Sequence, residues 1–405
     1  MSTVRPKGVS RRELGLSARQ LALEAEYQAF AMQEVAPLAE QIDRTEEIPR
    51  PLVDRLASAG MLRGAAFDEP PDPIAHGLRH EALAYASASV EGLVNVHLMV
   101  TEALERWGTA LQRRRWVPEL ATGARLAALA ITEPEVGSDA SSVRTRARAA
   151  GRGYVLDGRK KWITCGQIAD VFLVLARCEE GPATFLVPRD APGLRIEPIR
   201  GLLGCRGYML AELHLDSCAV PADHLLGAVG AGFSHVATTA LCAGRVNLAW
   251  ACVGVGQACL DAALRHAGER RQFGHAIEDF ELVQRILTRM IARIDAAFLL
   301  CLRASHERAS GGAAAASMEA AIAKYFASTT LTRVASDALQ LHGALGCSAE
   351  VPLQRYFRDA KIMELIEGTT QILETMIARQ ASSRARVASA LGACAGNGRE
   401  QSASL

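Results

Sequence analysis

The sequence predicts an α+β fold in which two helical units flank a β unit. Three observations carry that prediction: helical spacing through the first third, short β-rich runs from about Ala124, and a return of the helical period after Gly232. The expected division is an N-terminal tail (1–16), a helical domain (17–123), a β domain (124–229), a helical domain (230–384) and a loose, small and polar C-terminal tail (385–405).

Ser17 is placed as an N-cap, and LALEAEYQAFAMQEVAPLAEQI after it spaces apolar residues three and four apart, with Pro37 expected to kink or end the helix. A second helix is expected over Arg50–Ala59, closed by Gly60, and more helix over His80–Trp107 and Leu111–Ala121. The pattern then changes. GYVLDGRKKWIT, ADVFLVLAR, ATFLVP and LAELHLD alternate with turn signals at Gly151, Asp157-Gly158, Gly181-Pro182 and Pro192-Gly193, which predicts a compact antiparallel β unit. Long Ala- and Leu-rich helices follow over 233–380, with breaks expected at Gly274, Gly311-Gly312 and Gly343–Gly346.

The chain has 405 residues, 49% of them hydrophobic and 22% charged, so it can bury a large core. Forty-five Lys and Arg against 44 Asp and Glu leave no overall field for nucleic acid or an anionic membrane. The ten cysteines form neither CxxC pairs nor a Cys/His cluster, which disfavours a metal site or a disulfide framework and suits a cytoplasmic setting. The basic N-terminus lacks an apolar signal core, and no run is expected to span a bilayer. No GxGxxG follows a first strand, so a Rossmann dinucleotide site is disfavoured.

Four strings carry chemistry: ALAITEPEVGSD (128–139), KWITCG (161–166), GERRQFG (268–274), and QLHGALG with RDAKIMELIEGTTQI (340–372). Taken singly, each has a plain structural reading. The first is a turn leaving a strand, Trp162 is a core tryptophan, Arg270 is a solvated helix-end cation, and Glu367 is an acid at the start of a helix.

Together, in this order and spacing, they resemble the signatures of the acyl-CoA dehydrogenase family over about residues 17–380. The resemblance implies a fold with an N-terminal helical domain, a central β domain and a C-terminal four-helix bundle. It implies FAD as cofactor, an acyl thioester of CoA or an acyl carrier protein as substrate, and a separate electron acceptor such as an electron-transfer flavoprotein. A homodimer or homotetramer is implied as well.

By resemblance, Leu129, Ala130, Ile131, Thr132 and Ser138 contact the flavin, and Ser138 also faces the substrate. Trp162, Ile163 and Thr164 flank the ring, with Cys165 where the family has Asn. Arg270, Gln272 and Phe273, together with the turn Gln340, Leu341, His342, Gly343 and Ala344, are implied to meet the FAD of a neighbouring subunit, with Glu281 where a Gln is common. Thr369 and Gln371 are implied to touch the adenine dinucleotide, and Gly368 the substrate.

Glu367 matches the family's catalytic base. A base is what the chemistry requires, because oxidising a saturated thioester removes a weakly acidic α-proton while the β-hydrogen leaves as hydride. Some relatives place the base just before the Arg of an LDxxR pattern; here that string reads LCAGR, the position is Gly244, and Arg245 is either a substrate-site residue or a structural one. Cys242 replaces the pattern's Asp, which lies near the CoA arm, and Tyr208 is bulky for its place. Both point toward the branch acting on carrier-bound acyl groups. A flavin oxidase or monooxygenase on the same fold, and a non-catalytic flavin-binding protein, are the alternatives.

Overall fold

The computed structural model describes residues 14–64, 67 and 71–400, so most of the basic N-terminal tail and residues 401–405 lie outside the described residues. Ser17 caps α1 (Ala18–Phe30) through a reciprocal capping box with Gln20. The expected disturbance around Pro37 is a π-turn at Ala31–Val35 and a 3₁₀ turn at Ala36–Leu38, after which the chain resumes as α2 (Ala39–Thr45). Then come α3 (Arg50–Ser58), α4 (Pro73–Ala86), α5 (Ala88–Trp107) and α6 (Ala110–Ala121). The single run read over His80–Trp107 is two helices. Ser87, extended at φ −158°, ends α4 and caps α5 by accepting from the Val90 N–H.

The β unit holds β1 (Ala127–Ala130), β2 (Arg146–Ala150), β3 (Gly153–Ile163), β4 (Val171–Cys178), β5 (Gly181–Pro188), β6 (Leu194–Pro198), β7 (Ala211–Pro221) and the short β8 (Leu225–Leu226). Strand order is β6-β7-β3-β2-β4-β5-β8. Most neighbours are antiparallel, as expected, but β1 runs parallel to β4 and β2 meets β4 in parallel at one pair. The sheet is therefore mixed.

The second helical unit begins with α7 (Thr238–Glu269), followed by a hairpin of β9 (Arg271–Gln272) and β10 (His275–Ala276) around Gly274. Next are α8 (Glu281–Ala315), α9 (Ser317–His342), α10 (Leu353–Leu365) and α11 (Thr370–Glu400). Gly311-Gly312 do not end α8, which runs on to Ala315, because neighbouring Ala residues favour helix strongly enough to carry two glycines. The segment expected as a tail from 385 continues α11 through Glu400 for the same reason. By length and composition Gly232–Glu269 is apolar enough to cross a membrane, contrary to expectation, yet 89% of its apolar window is buried inside the protein. A central bundle helix is apolar all round for that reason.

Candidate active site

Glu367 sits in the four-residue break between α10 and α11, where the chain turns through left-handed backbone, φ 57° at Glu367 and 100° at Gly368. Two buried cations fasten this turn by its carbonyls. Lys324 on α9 donates from Nζ to the carbonyls of Glu364 (2.9 Å) and Gly368 (2.8 Å), and Arg245 on α7 donates from Nε to the carbonyl of Glu367 (3.0 Å). Neither cation takes the carboxylate: Glu367 Oε2 is buried and has no hydrogen-bond partner.

Space for that carboxyl comes from Gly244. A Cβ there would lie 2.8 Å from Glu367 Cδ and 2.7 Å from Met99 Sδ, so any larger residue would press on the acid. Burial raises the Glu367 pKa to about 7, with Arg245 and Lys324 opposing part of the rise. Burial likewise lowers Lys324 to about 8. The carboxylate caps nothing, so the reading of Glu367 as a helix-start acid fails; Arg245 serves structure directly by holding the turn.

The first two strings are zipped together where the end of β3 meets the segment that leaves β1. Lys161 N–H donates to the Thr132 carbonyl (2.9 Å), and fully buried Lys160 donates to the Ile131 carbonyl (2.9 Å) and Glu133 Oε1 (2.8 Å). Glu133 also accepts from Thr145 N–H, Thr145 Oγ1 and Arg144 N–H, so it anchors the TEPEVGSD loop. These hydrogen bonds hold the Glu133 carboxyl below its usual range despite the opposing effect of burial.

Ala130 and Ile131 have buried side chains, so a group beside them meets backbone; Leu129, Thr132 and Thr164 are half-buried and Ser138 exposed. Trp162 is not a core tryptophan. Its φ of 62° turns it out of β3, 51% exposed, with the Lys161 ammonium 5.3 Å from its ring. Ile163 beside it is buried. Cys165 is also left-handed, at φ 58°, with its N–H donating to the Tyr208 carbonyl (2.7 Å). Asn tolerates that backbone better than Cys, and here burial pushes the thiol up to about 12, leaving no polar side-chain contact.

The remaining residues gather elsewhere. Arg270 ends α7 and is exposed, and Gln272 and Phe273 follow on the hairpin, Phe273 at 91% exposure and φ 51°. The α9 terminus brings Gln340–Ala344 beside them through a stacked pair, His266 and His342, with ring centroids 4.1 Å apart. Arg245 lies near the start of the 32-residue α7 and Arg270 at its end, about 37 Å apart at 1.5 Å per residue. Thr369 is half-buried and Gln371 exposed, next to the Glu367 turn. Glu281 starts α8, where an acid suits a helix N-terminus. The sequence reading missed Lys324, Lys160 and the spacing role of Gly244. Among the described residues no metal-binding cluster occurs, and an open groove of about 560 Å³ lined by Arg44, Arg206 and Arg355 does not include Glu367.

With this geometry, comparisons with known proteins agree along the chain. It matches the acyl-CoA dehydrogenase N-terminal domain over residues 17–124, the middle domain over 128–218 and the C-terminal domain over 230–382. It is 37% identical over 368 residues to a probable acyl-CoA dehydrogenase, YngJ, of Bacillus subtilis, covering 87% of this chain and 94% of that one. It resembles butyryl-CoA dehydrogenase from Megasphaera elsdenii at a TM-score of 0.86 and 29% identity, covering 90% and 98% of the two chains. It resembles the prolyl acyl carrier protein oxidase AnaB equally well, at a TM-score of 0.86 and 28% identity over 90% and 99%. The chain belongs to the acyl-CoA dehydrogenase family, oxidoreductases that act on CH–CH groups.

Proposed function

We propose that this protein is an FAD-dependent acyl-thioester dehydrogenase in which Glu367 removes the substrate's α-proton. The observation that carries the reading is the Glu367 carboxyl, buried, unpartnered at Oε2 and tuned by burial to about 7. A general base works best when its pKa is near the operating pH, and a carboxylate left without a donor is ready to accept a proton. Arg245 and Lys324 hold the turn by its carbonyls, so the side chain is aimed without being neutralised. A backbone N–H beside Glu367 would polarise the thioester carbonyl.

The family is FAD-dependent, and the residues present fit that group. An exposed indole, neighbouring hydroxyls and bare backbone offer a planar ring a flat face and polar edges. Leu129, Ala130, Ile131, Thr132, Ser138, Trp162, Ile163 and Thr164 would hold the ring, with Thr369 and Gln371 on the remainder and Ser138, Arg245 and Gly368 on the substrate side. When bound, FAD supplies the acceptor for the hydride that leaves the β-carbon. Arg270, Gln272, Phe273 and Gln340–Ala344 would serve a neighbouring subunit's FAD, since about 37 Å of helix separates Arg270 from Arg245. A homodimer or homotetramer follows from that sharing.

The substrate handle is a pantetheine thioester, on CoA or on an acyl carrier protein. Cys242, only 1% exposed, offers no carboxylate at the place where the family's CoA-side Asp stands. The likeness to AnaB, named an oxidase, favours oxygen as a second possible electron acceptor beside an electron-transfer flavoprotein. The absence of a disulfide among the described residues fits a reducing, cytoplasmic setting. The test is the visible spectrum of the purified protein, followed by anaerobic bleaching with acyl-CoA and acyl-carrier-protein thioesters. A colourless protein that FAD does not reconstitute ends the reading, and oxygen uptake after bleaching identifies an oxidase.

A further inference from the structure

One face of α5 leads away from the base into a buried polar cluster. Met99, Asn95 and Glu91 lie at successive turns of that face. Met99 packs where Gly244 and the Glu367 carboxyl meet. Asn95 Oδ1 accepts from Asn247 Nδ2 on α7 (3.1 Å). Glu91 Oε1 lies 2.9 Å from His80 Nδ1 of α4, and both side chains are fully buried. The other oxygen, Oε2, has no partner, nor does His80 Nε2. The Tyr208 ring presses on Gly92, and its buried phenol feels the Glu91 charge. Burial and the nearby Glu367 charge push the Glu91 carboxyl well above the usual range, so the two acids share one electrostatic environment.

A pocket for a plain alkyl chain needs none of this. An unpaired buried acceptor costs stability that Val or Leu would not, and the reaction at Glu367 makes no use of it. Resting on the acyl-thioester reading above, we propose that Glu91, braced by His80, is the specificity residue of this site. It selects an acyl group bearing a hydrogen-bond donor, an amine or a hydroxyl. Oε2 accepts from that donor, and Tyr208 closes the space around it.

The experiment is anaerobic flavin bleaching by four- to six-carbon acyl thioesters, unsubstituted or carrying a hydroxyl or amino group at successive carbons, presented on CoA and on a carrier protein. The unmodified enzyme should favour the best substituted acyl group over its alkyl counterpart by about a hundredfold or more in kcat/KM, because a site built around a polar contact rejects ligands that lack it. Glu91→Leu should abolish or reverse that preference. Glu91→Gln, which keeps shape and an accepting oxygen, should retain the hydroxyl preference and lose about tenfold on the amine. Equal rates for alkyl and substituted members overturn the inference alone, as does a Glu91→Leu enzyme slowed by the same factor on every member. Bleaching by no member overturns the activity reading, and the inference with it.

Discussion

Helix α7 joins two regions of opposite character. Near its start, Gly244 and Arg245 help build a buried pocket wall in which backbone carbonyls are fastened and a single carboxylate oxygen is left unpaired. At its end, Arg270 and the hairpin with Phe273 stand in the open, beside the exposed turn of α9. In the first region every group that fixes the turn, Arg245 and Lys324 on the carbonyls, comes from the same chain. The second presents an exposed cation and an aromatic ring, Phe273 at 91% exposure, to the surface, which suits the proposed contact with a ligand seated on another subunit. If that division is right, substitutions at the first end change the rate of chemistry and those at the second change cofactor retention.

The sharpest break comes at Glu367. Glu367→Gln keeps the shape but removes the base, so anaerobic flavin reduction should slow by about 10⁴-fold, while flavin content and substrate affinity stay near normal because the loss is felt in the transition state. Reduction at the unmodified rate would move the base elsewhere. Gly244→Ala is the next largest. Its Cβ would meet Glu367 Cδ at 2.8 Å, and displacing a catalytic group by about 1 Å costs up to about a hundredfold. Rapid-mixing traces should show about 10- to 100-fold slower bleaching with full flavin content; an unchanged rate would mean the carboxyl is not confined by Gly244.

Arg270→Ala probes the far end. Losing a charge-assisted contact to phosphate is worth about 1.5–3 kcal/mol, so FAD titration of the apoprotein should show affinity about 10- to 100-fold weaker. The FAD that remains should be reduced at the normal rate. Undiminished affinity, or full affinity in a strictly monomeric protein, would remove the reason for assigning this end to a neighbour.

How legible the two ends were in the sequence differs for a physical reason. Glu367, Trp162 and Arg270 sit in long strings whose order identifies a family, and Ser17 and Gly60 announce helix ends by local chemistry. Lys324 carries no such mark. In AAIAKYFAS it reads as an ordinary helix cation, and only tertiary packing sets it against the Glu364 and Gly368 carbonyls. Lys160 is hidden in the same way, inside a strand next to a half-buried Lys161 that pairs with Glu212. The parallel pairing of β1 with β4 depends on register between distant segments, and local alternation says nothing of it. Gly311-Gly312 misled because a glycine's local cost is small beside the propensity of a long Ala-rich helix.

The last expectation is the smallest and separates the ends by stability alone. Glu367 titrates at about 7 in the folded protein against 4.5 as its ordinary value. A raised pKa means that the folded state favours the protonated acid, so its contribution to stability is complete below about 4.5 and is lost as pH rises through about 7. Each pKa unit corresponds to about 1.4 kcal/mol, and with water and neighbouring groups relaxing around the charge the loss should be about 1–3 kcal/mol. Glutamine carries no charge at any pH. Glu367→Gln should therefore match the unmodified protein's melting temperature at pH 4.5 and exceed it by a few degrees at pH 7.5, a range that stops below the titration of Lys324 at about 8. Relief of the Glu91 carboxyl, which feels the Glu367 charge, adds in the same direction. Arg270→Ala, exposed and far along the helix, should show no such slope. Melting curves of the apoproteins in one buffer series decide it: a Glu367→Gln difference that is flat with pH would mean that the carboxyl is as well solvated as any surface acid, and the contrast between the two ends of α7 would lose its electrostatic basis.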